Sequence, residues 1–242
     1  MKNERWRRWF ECSLCEQEYY GNVLCALGWA CWKTYLGRPE EDWARSKAMN
    51  QLGNGLFAAK RDEESLIVSE ADLATRRRLG ASEARILTAQ GNLALTYQRL
   101  GRREEALCMR RDVYSGRLKL KGEEHESTLR AASNYAADFY DLQRFEEAKS
   151  LLRKTMPVAR RVLGDSKELT IRIRSTYAMA LCGDPNATLD DLREAVTTLE
   201  ETERIARRVL GGAHPEVAWI VSSLRRSRAK LRAREETPSS ET

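Results

Sequence analysis

The sequence predicts an all-α chain built as an α-solenoid of stacked helix hairpins, and three observations carry that prediction. The stretch GNLALTYQRLGRREEAL at 91–107 recurs as SNYAADFYDLQRFEEAK at 133–149. Each copy sets a small residue (Ala94, Ala136) three positions before a ring (Tyr97, Phe139), and after a short polar break a second small residue follows (Ala106, Ala148). Helices that cross closely need small side chains where their backbones meet and a bulky one in the wedge beside them. The second observation is a closing phrase, RRLG at 77–80, KLKG at 119–122, and RVLG at both 161–164 and 208–211. Glycine there lets the chain take the left-handed turn that ends a helix, and the preceding cations suit the helix's negative end. The third is composition. Glycine (14) and proline (5) are too scarce in 242 residues for a strand-and-turn architecture.

Aligning on the second small residue gives Ser65, Ala106, Ala148 and Ala195, at intervals of 41, 42 and 47. First helices are then expected at 42–58, 84–99, 125–141 and 167–182, and second helices at 62–79, 103–120, 145–162 and 188–210. A last helix at 214–234 opens with His214-Pro215, with proline suited to a first turn, and its Arg- and Lys-rich face fits a water-exposed end cap. The 47-residue interval comes from GDPNATLDD at 183–191, where Pro185 and Asn186 suit a turn and Thr188 suits a helix start. At the other end, Leu36-Gly37 echoes the closing phrase, so 18–37 reads as a half-repeat or capping helix. The expected organisation is an N-terminal segment at 1–17, that half unit, an array with its cap over 38–234, and a disordered tail at 235–242. Hairpins of this kind cannot bury their apolar faces alone, and stacking makes the core continuous.

Charge and hydropathy bound the partners. An excess of 42 Lys and Arg over 36 Asp and Glu is modest for so much surface, permitting acidic partners without specifying a nucleic acid. The basic clusters WRRW at 6–9 and RRR at 76–78 admit a base-stacking reading, but the recurring RR pairs sit at helix C-termini and serve the caps. The opening MKNERWRRWFECSL lacks the apolar core of a signal sequence, and the longest greasy run, VLCALGWACW at 23–32, is half the length of a membrane span. A cytoplasmic location follows, with reduced thiols.

The unit N-L-A-x-x-Y-x-x-x-G-R-x-E-E-A at 92–106, with LG near its end and H-P or H-E at the next start, resembles the long tetratricopeptide repeat of kinesin light chains. The small, aromatic and small positions of that repeat fall on Ala94, Tyr97 and Ala106; on Ala136, Phe139 and Ala148; on Ala178, Leu181 and Ala195; and on Gly53, Leu56 and Ser65. The resemblance implies a right-handed superhelix whose concave groove holds an extended peptide, contacted by an asparagine of each first helix. Here those positions read Gln51, Asn92, Asn134 and Thr176, so two match and two depart, which implies a weakened or redirected groove. Nothing resembles the coiled coil that engages a kinesin heavy chain, so motor association is not implied.

One turn before these positions stand Thr88, Arg130 and Arg172, and one turn after stand Thr96, Asp138 and Ala180. Asn92 and Asn134 have both the donor and the acceptor for a peptide backbone, and Arg130 and Arg172 can fork onto carboxylates. The expected partner is an extended acidic or mixed peptide of another protein. In the alternative reading the asparagines only tie neighbouring repeats together, the arginines are solvated surface, and contacts are made through the ends of the array.

No chemistry is expected. His125 and His214 occupy one phase of the repeat far apart in the chain, no nucleophile is spaced to meet either, and no glycine-rich phosphate loop is present. No motif calls for a cofactor. Cys12-x-x-Cys15 has half the spacing of a zinc site, which Cys25 and Cys31 would complete if the chain folded back. Six residues apart on a helix, however, those two sit about 120° off a shared face, among Leu24, Leu27, Trp29 and Trp32, where cysteine acts as a small apolar filler.

Overall fold

A computed structural model describes residues 4–236. Among them are eleven helices: α1 (Glu4–Arg7), α2 (Gly21–Tyr35), α3 (Trp43–Ala58), α4 (Asp62–Arg78), α5 (Glu83–Arg99), α6 (Arg103–Lys121), α7 (Glu126–Asp141), α8 (Phe145–Leu163), α9 (Glu168–Gly183), α10 (Leu189–Leu210) and α11 (Pro215–Glu236). From α3 onward each lies within two residues of its expected bounds. The expected tail differs at its start, because α11 carries on through Glu235 and Glu236; residues 237–242 lie outside the described residues.

The chain divides into two compact units, 1–116 and 117–242. In the first, α2 packs on α3, α3 on α4 and α4 on α5. Its buried clusters are Cys25, Leu52 and Leu56 between α2 and α3, and Leu73, Leu93, Tyr97 and Ala106 further on. In the second, successive helices from α7 to α11 pack pairwise, with α7 also against α9 and α9 against α11. One cluster, which includes Leu129, Leu152, Ile173, Tyr177, Leu199 and Ile220, runs through that unit. The four small anchors, Ser65, Ala106, Ala148 and Ala195, are all buried. Gly80, Gly122, Gly164 and Gly211 all have positive φ, as the closing phrases require.

The phrase R-x-E-E has a physical cause in the turn inside each hairpin. Leu56, Tyr97 and Phe139 each accept, through the backbone carbonyl, the amide of the residue five positions on, Arg61, Arg102 and Arg144 respectively. The residue before each arginine is left-handed: Lys60 at φ 60°, Gly101 at 75° and Gln143 at 59°. This is a Schellman closure, which satisfies carbonyls orphaned at the helix end. The same arginine then reaches forward to the second glutamate of the phrase or its equivalent: Arg61 to Glu64, Arg102 to Glu105 and Arg144 to Glu147. Two of them also lie over the ring they follow, Arg102 on Tyr97 at 4.2 Å and Arg144 on Phe139 at 4.9 Å. Ring, break and acidic pair form one cap.

The N-terminal segment is part of the first unit's core. Trp6 (3% exposed) and Trp9 (8%) pack with Cys31, Ala44 and Ala48, and the segment turns through an antiparallel bridge between Glu11 and Glu18. The WRRW indoles are therefore spent on packing and offer no face for stacking on bases.

Candidate functional site

The first helices of the second unit, α7 and α9, and the lone α11 present one face side by side. Arg130 on α7 donates to Glu126 of its own helix at 2.5 Å, an exposed pair. Arg172, one repeat on, is half-buried; burial pulls its guanidinium below the ordinary value and the neighbouring Arg130 pulls it further, while Glu216 and Glu168 oppose this. Its Nε is buried without a hydrogen-bond partner among the described residues. Glu216, in the first turn of α11, has its carboxyl pushed up by burial, against the pull of Arg172. The arginines thus belong to a strip of mixed charge.

The other expected positions separate into two groups. Asn92 and Asn134 are half-buried, and neither amide has a hydrogen-bond partner among the described residues. Thr88 is exposed and turns its hydroxyl back to Ala84 O at 2.8 Å. Thr96, by contrast, is 1% exposed with its hydroxyl 3.3 Å from Ser65 Oγ, so it is packed against α4 of the preceding hairpin. Asp138 is also buried, as is Thr176, whose hydroxyl donates to Arg172 O at 2.9 Å. Gln51 is withdrawn as well: its Nε2 donates to Trp9 O at 3.0 Å and anchors the N-terminal segment. Four residues carry the helix about 40° past a full turn, so positions four before and four after an asparagine stand about 80° apart, and one of them turns into the packing.

A cleft of about 310 Å³ opens on this face, lined by Ala137, Tyr140 and Asp141 of α7, Thr176 and Met179 of α9, and Trp219 and Arg226 of α11. Trp219 is 41% exposed, and Arg226 approaches Met179 Sδ at 3.1 Å. Trp219 and Arg226 are not legible as site residues in the sequence, because α11 reads as an end cap. The available signal was a tryptophan on a helix of otherwise first-helix phase.

The chain does not bring the four cysteines together. Cys31 lies among Trp6, Trp9 and Ala48, Cys25 lies beside Leu52 and Leu56, and Cys12 and Cys15 are on the outer turn. No metal-holding group of His, Cys, Asp or Glu occurs among the described residues. The two histidines are helix caps: His125 Nδ1 accepts from Ser127 N at 3.1 Å, and His214 Nδ1 from Glu216 N at 3.2 Å. Among the described residues no helix is long and apolar enough to cross a membrane.

The tetratricopeptide repeat family matches residues 86–126 and 128–166, which hold α5 with α6 and α7 with α8. No curated protein matches the sequence. Among solved structures, the fold is similar to that of a Podosopora anserina protein with nearly identical TPR-like repeats of kinesin light chain, at 22% identity and a TM-score of 0.66. That match covers 81% of this chain and 91% of the other. BtubC (BKLC) from P. vanneervenii is similar at 13% identity and a TM-score of 0.66, over 90% of this chain and 93% of that one. A Rap protein complexed with Competence and Sporulation Factor matches at 15% identity and a TM-score of 0.55, over 88% of this chain and 59% of that one. At these identities the likeness is one of fold.

Proposed function

We propose that the chain is a cytoplasmic, non-catalytic interaction scaffold with repeats of kinesin light chain type, holding an extended peptide of acidic or mixed charge on its first-helix faces. The observation that carries this reading is in the second unit. The unpartnered amide of Asn134 lies one helical turn from Ala137, in the wall of the cleft that Tyr140, Met179 and Trp219 shape. An amide with a free donor and acceptor fixes a peptide backbone, and the neighbouring cleft takes a side chain. A Rap protein of similar fold, solved with Competence and Sporulation Factor, supports the view that such a stack can carry a partner.

The test is capture from a source lysate at physiological salt, comparing the native chain with Asn134→Ala combined with Arg130→Glu. Both side chains are at least partly exposed, so helicity and melting stay unchanged. Loss of the captured partners is the expected result. A second reading, contact through the ends of the array, is favoured by Leu14 and Tyr20, which are strongly exposed on the N-terminal turn. Under that reading the double substitution retains its partners and Leu14→Ser with Tyr20→Ser loses them.

A further inference from the structure

The first unit has a cleft of its own, of about 320 Å³, on the face where α3 and α5 lie together. Trp43, Ser46, Lys47 and Asn50 of α3, Arg85 and Thr88 of α5, and Arg76 of α4 line it. Three of these are cations and none is a carboxylate. Arg76 is neutralised from behind, its Nε 2.9 Å from both oxygens of the buried Asp72. Neither Lys47 nor Arg85 forms a direct ion pair among the described residues, although the charge of Arg85 reaches the buried Asp72. The Lys47 ammonium is instead held over the rings of Trp6 at 4.6 Å and Trp43 at 5.9 Å, and burial pulls it below its ordinary value.

The neutral groups are polarised the same way. Ser46 Oγ accepts from Arg85 Nη2 at 3.4 Å, which leaves its hydroxyl proton to donate. Asn50 Oδ1 faces Asn54 Nδ2 at 3.5 Å, which leaves its amide nitrogen outward. An ammonium, a guanidinium fork, a hydroxyl and an amide are therefore all donors, and no acceptor balances them. A carboxylate offers two oxygens and one charge; a phosphomonoester offers three oxygens and nearly two charges. Beside this donor set Trp43 stands 45% exposed, an apolar wall for whatever flanks the anion.

We propose that this cleft binds the phosphate of a phosphorylated serine or threonine in a peptide partner, through Lys47, Arg85, Ser46 and Asn50. The inference rests on the peptide-scaffold reading only for the carrier of the phosphate. Arg85 gives the fork that phosphate oxygens match, Lys47 the point charge, and the dianion compensates two cations that the fold leaves unpaired.

The test uses the full chain and a fluorescent degenerate peptide pool with a central phosphoserine, read by anisotropy against the same pool with serine or glutamate. The phosphoserine pool is expected to bind at least about tenfold tighter than the glutamate pool, and Arg85→Gln and Lys47→Met to weaken it about tenfold each, as loss of one charged hydrogen bond does. Arg85 is exposed, so its variant reports on binding even if Lys47→Met disturbs the Trp6–Trp43 stack. Equal binding of the glutamate and phosphoserine pools overturns the proposal, as does unchanged affinity in Arg85→Gln. Binding of inorganic phosphate without either pool overturns it too, and so does preference for a 5′-phosphorylated RNA hexamer. Asn134→Ala with Arg130→Glu leaves the phosphoserine affinity unaltered, so failure of the scaffold reading shows in lysate capture and failure of this one in the peptide titration.

Discussion

Lys149 Nζ donates to Asp184 Oδ2 at 2.8 Å, and both side chains are buried. The two positions are paired departures from the repeat. Lys149 occupies the phase of Leu107 in the preceding repeat and Leu66 in the one before, and Asp184 belongs to the longer connection between α9 and α10. Lys230 ties the same connection from α11, donating to Cys182 O at 2.7 Å and Asp184 O at 2.8 Å. Removing Asp184 leaves the buried Lys149 only the exposed Glu146, 2.5 Å away, as a counter-charge. Asp184→Ala is expected to cost about 3 kcal/mol in urea unfolding, and Lys149→Leu added to it to recover at least about 1 kcal/mol by restoring the apolar residue of the repeat. Additive single effects would show that the pair is not coupled.

The same pair sets an acid limb. The bond from Lys149 holds the Asp184 carboxyl below its ordinary value, burial opposes this, and the Asn186 amide reinforces it. A carboxyl depressed on folding contributes stability above its unfolded value of about 3.9, and that contribution is lost as pH falls through the folded value. Asp191, held down by the Thr188 amide, acts in the same direction. Asp72 and Glu216, both pushed up by burial, act in the opposite one. The urea midpoint of the native chain should therefore fall below about pH 4 more steeply than that of Asp184→Ala. Parallel acid limbs would remove Asp184 from the account.

The hairpin turns differ in one residue. All three require a left-handed position, and only Gly101 fills it with glycine; Lys60 and Gln143 do so with side chains. An L-residue there carries about 1 kcal/mol of strain, partly offset by the greater freedom glycine has when unfolded. Gln143→Gly is expected to stabilise by about 0.5 kcal/mol and Gly101→Gln to destabilise by about 1 kcal/mol, read as opposite shifts in melting temperature.

These turns also show what was legible. Period, small anchors and closing glycines gave every helix from α3 to α11, because each reports a backbone requirement repeated at one phase. The acidic pairs at 104–105 and 146–147 are exposed, and nothing in a lone sequence links Glu105 to Arg102 and the carbonyl of Tyr97. The faces were less legible than the helices. Asn92 and Asn134 are half-buried, while Thr96 and Asp138 turn inward. The N-terminal segment has no repeat to align with, so the burial of Trp6 and Trp9 and the loss of Gln51 to Trp9 O emerged only from packing.

Cys12 stands apart from the other thiols. Backbone hydrogen bonds with Cys15 and Leu14, then side-chain bonds with Cys15 and Tyr19, hold it down to about 7, whereas burial pushes Cys31 up to about 12. The thiolate is the reactive form. Iodoacetamide should modify Cys12 with a rate that rises through pH 7, leaving Cys31 unmodified in the folded chain. Tyr19→Phe should move that midpoint upward, and an unmoved midpoint would exclude the Tyr19 bond as a cause.

Two helical glycines give opposite predictions for the same substitution. A methyl group on Gly55 would lie 2.8 Å from Leu24 O and 2.9 Å from Cys25 Cα, backbone atoms of α2 that cannot rotate away. One on Gly91 of α5 would meet nothing within 4 Å. Alanine favours a helix over glycine by about 1 kcal/mol, and forcing packed helices apart costs about 1–3 kcal/mol. At Gly91 only the first effect operates, so Gly91→Ala should raise stability by nearly 1 kcal/mol. At Gly55 the clash exceeds the gain, and Gly55→Ala should lower stability by about 1–2 kcal/mol. Gly28, whose added methyl would meet Gln51 O at 3.0 Å and Leu52 Cα at 3.1 Å, approaches from the other side of that crossing. The crossing of α2 over α3 therefore depends on a glycine from each helix. Stabilisation by Gly55→Ala in urea unfolding would mean that the two helices do not meet so closely.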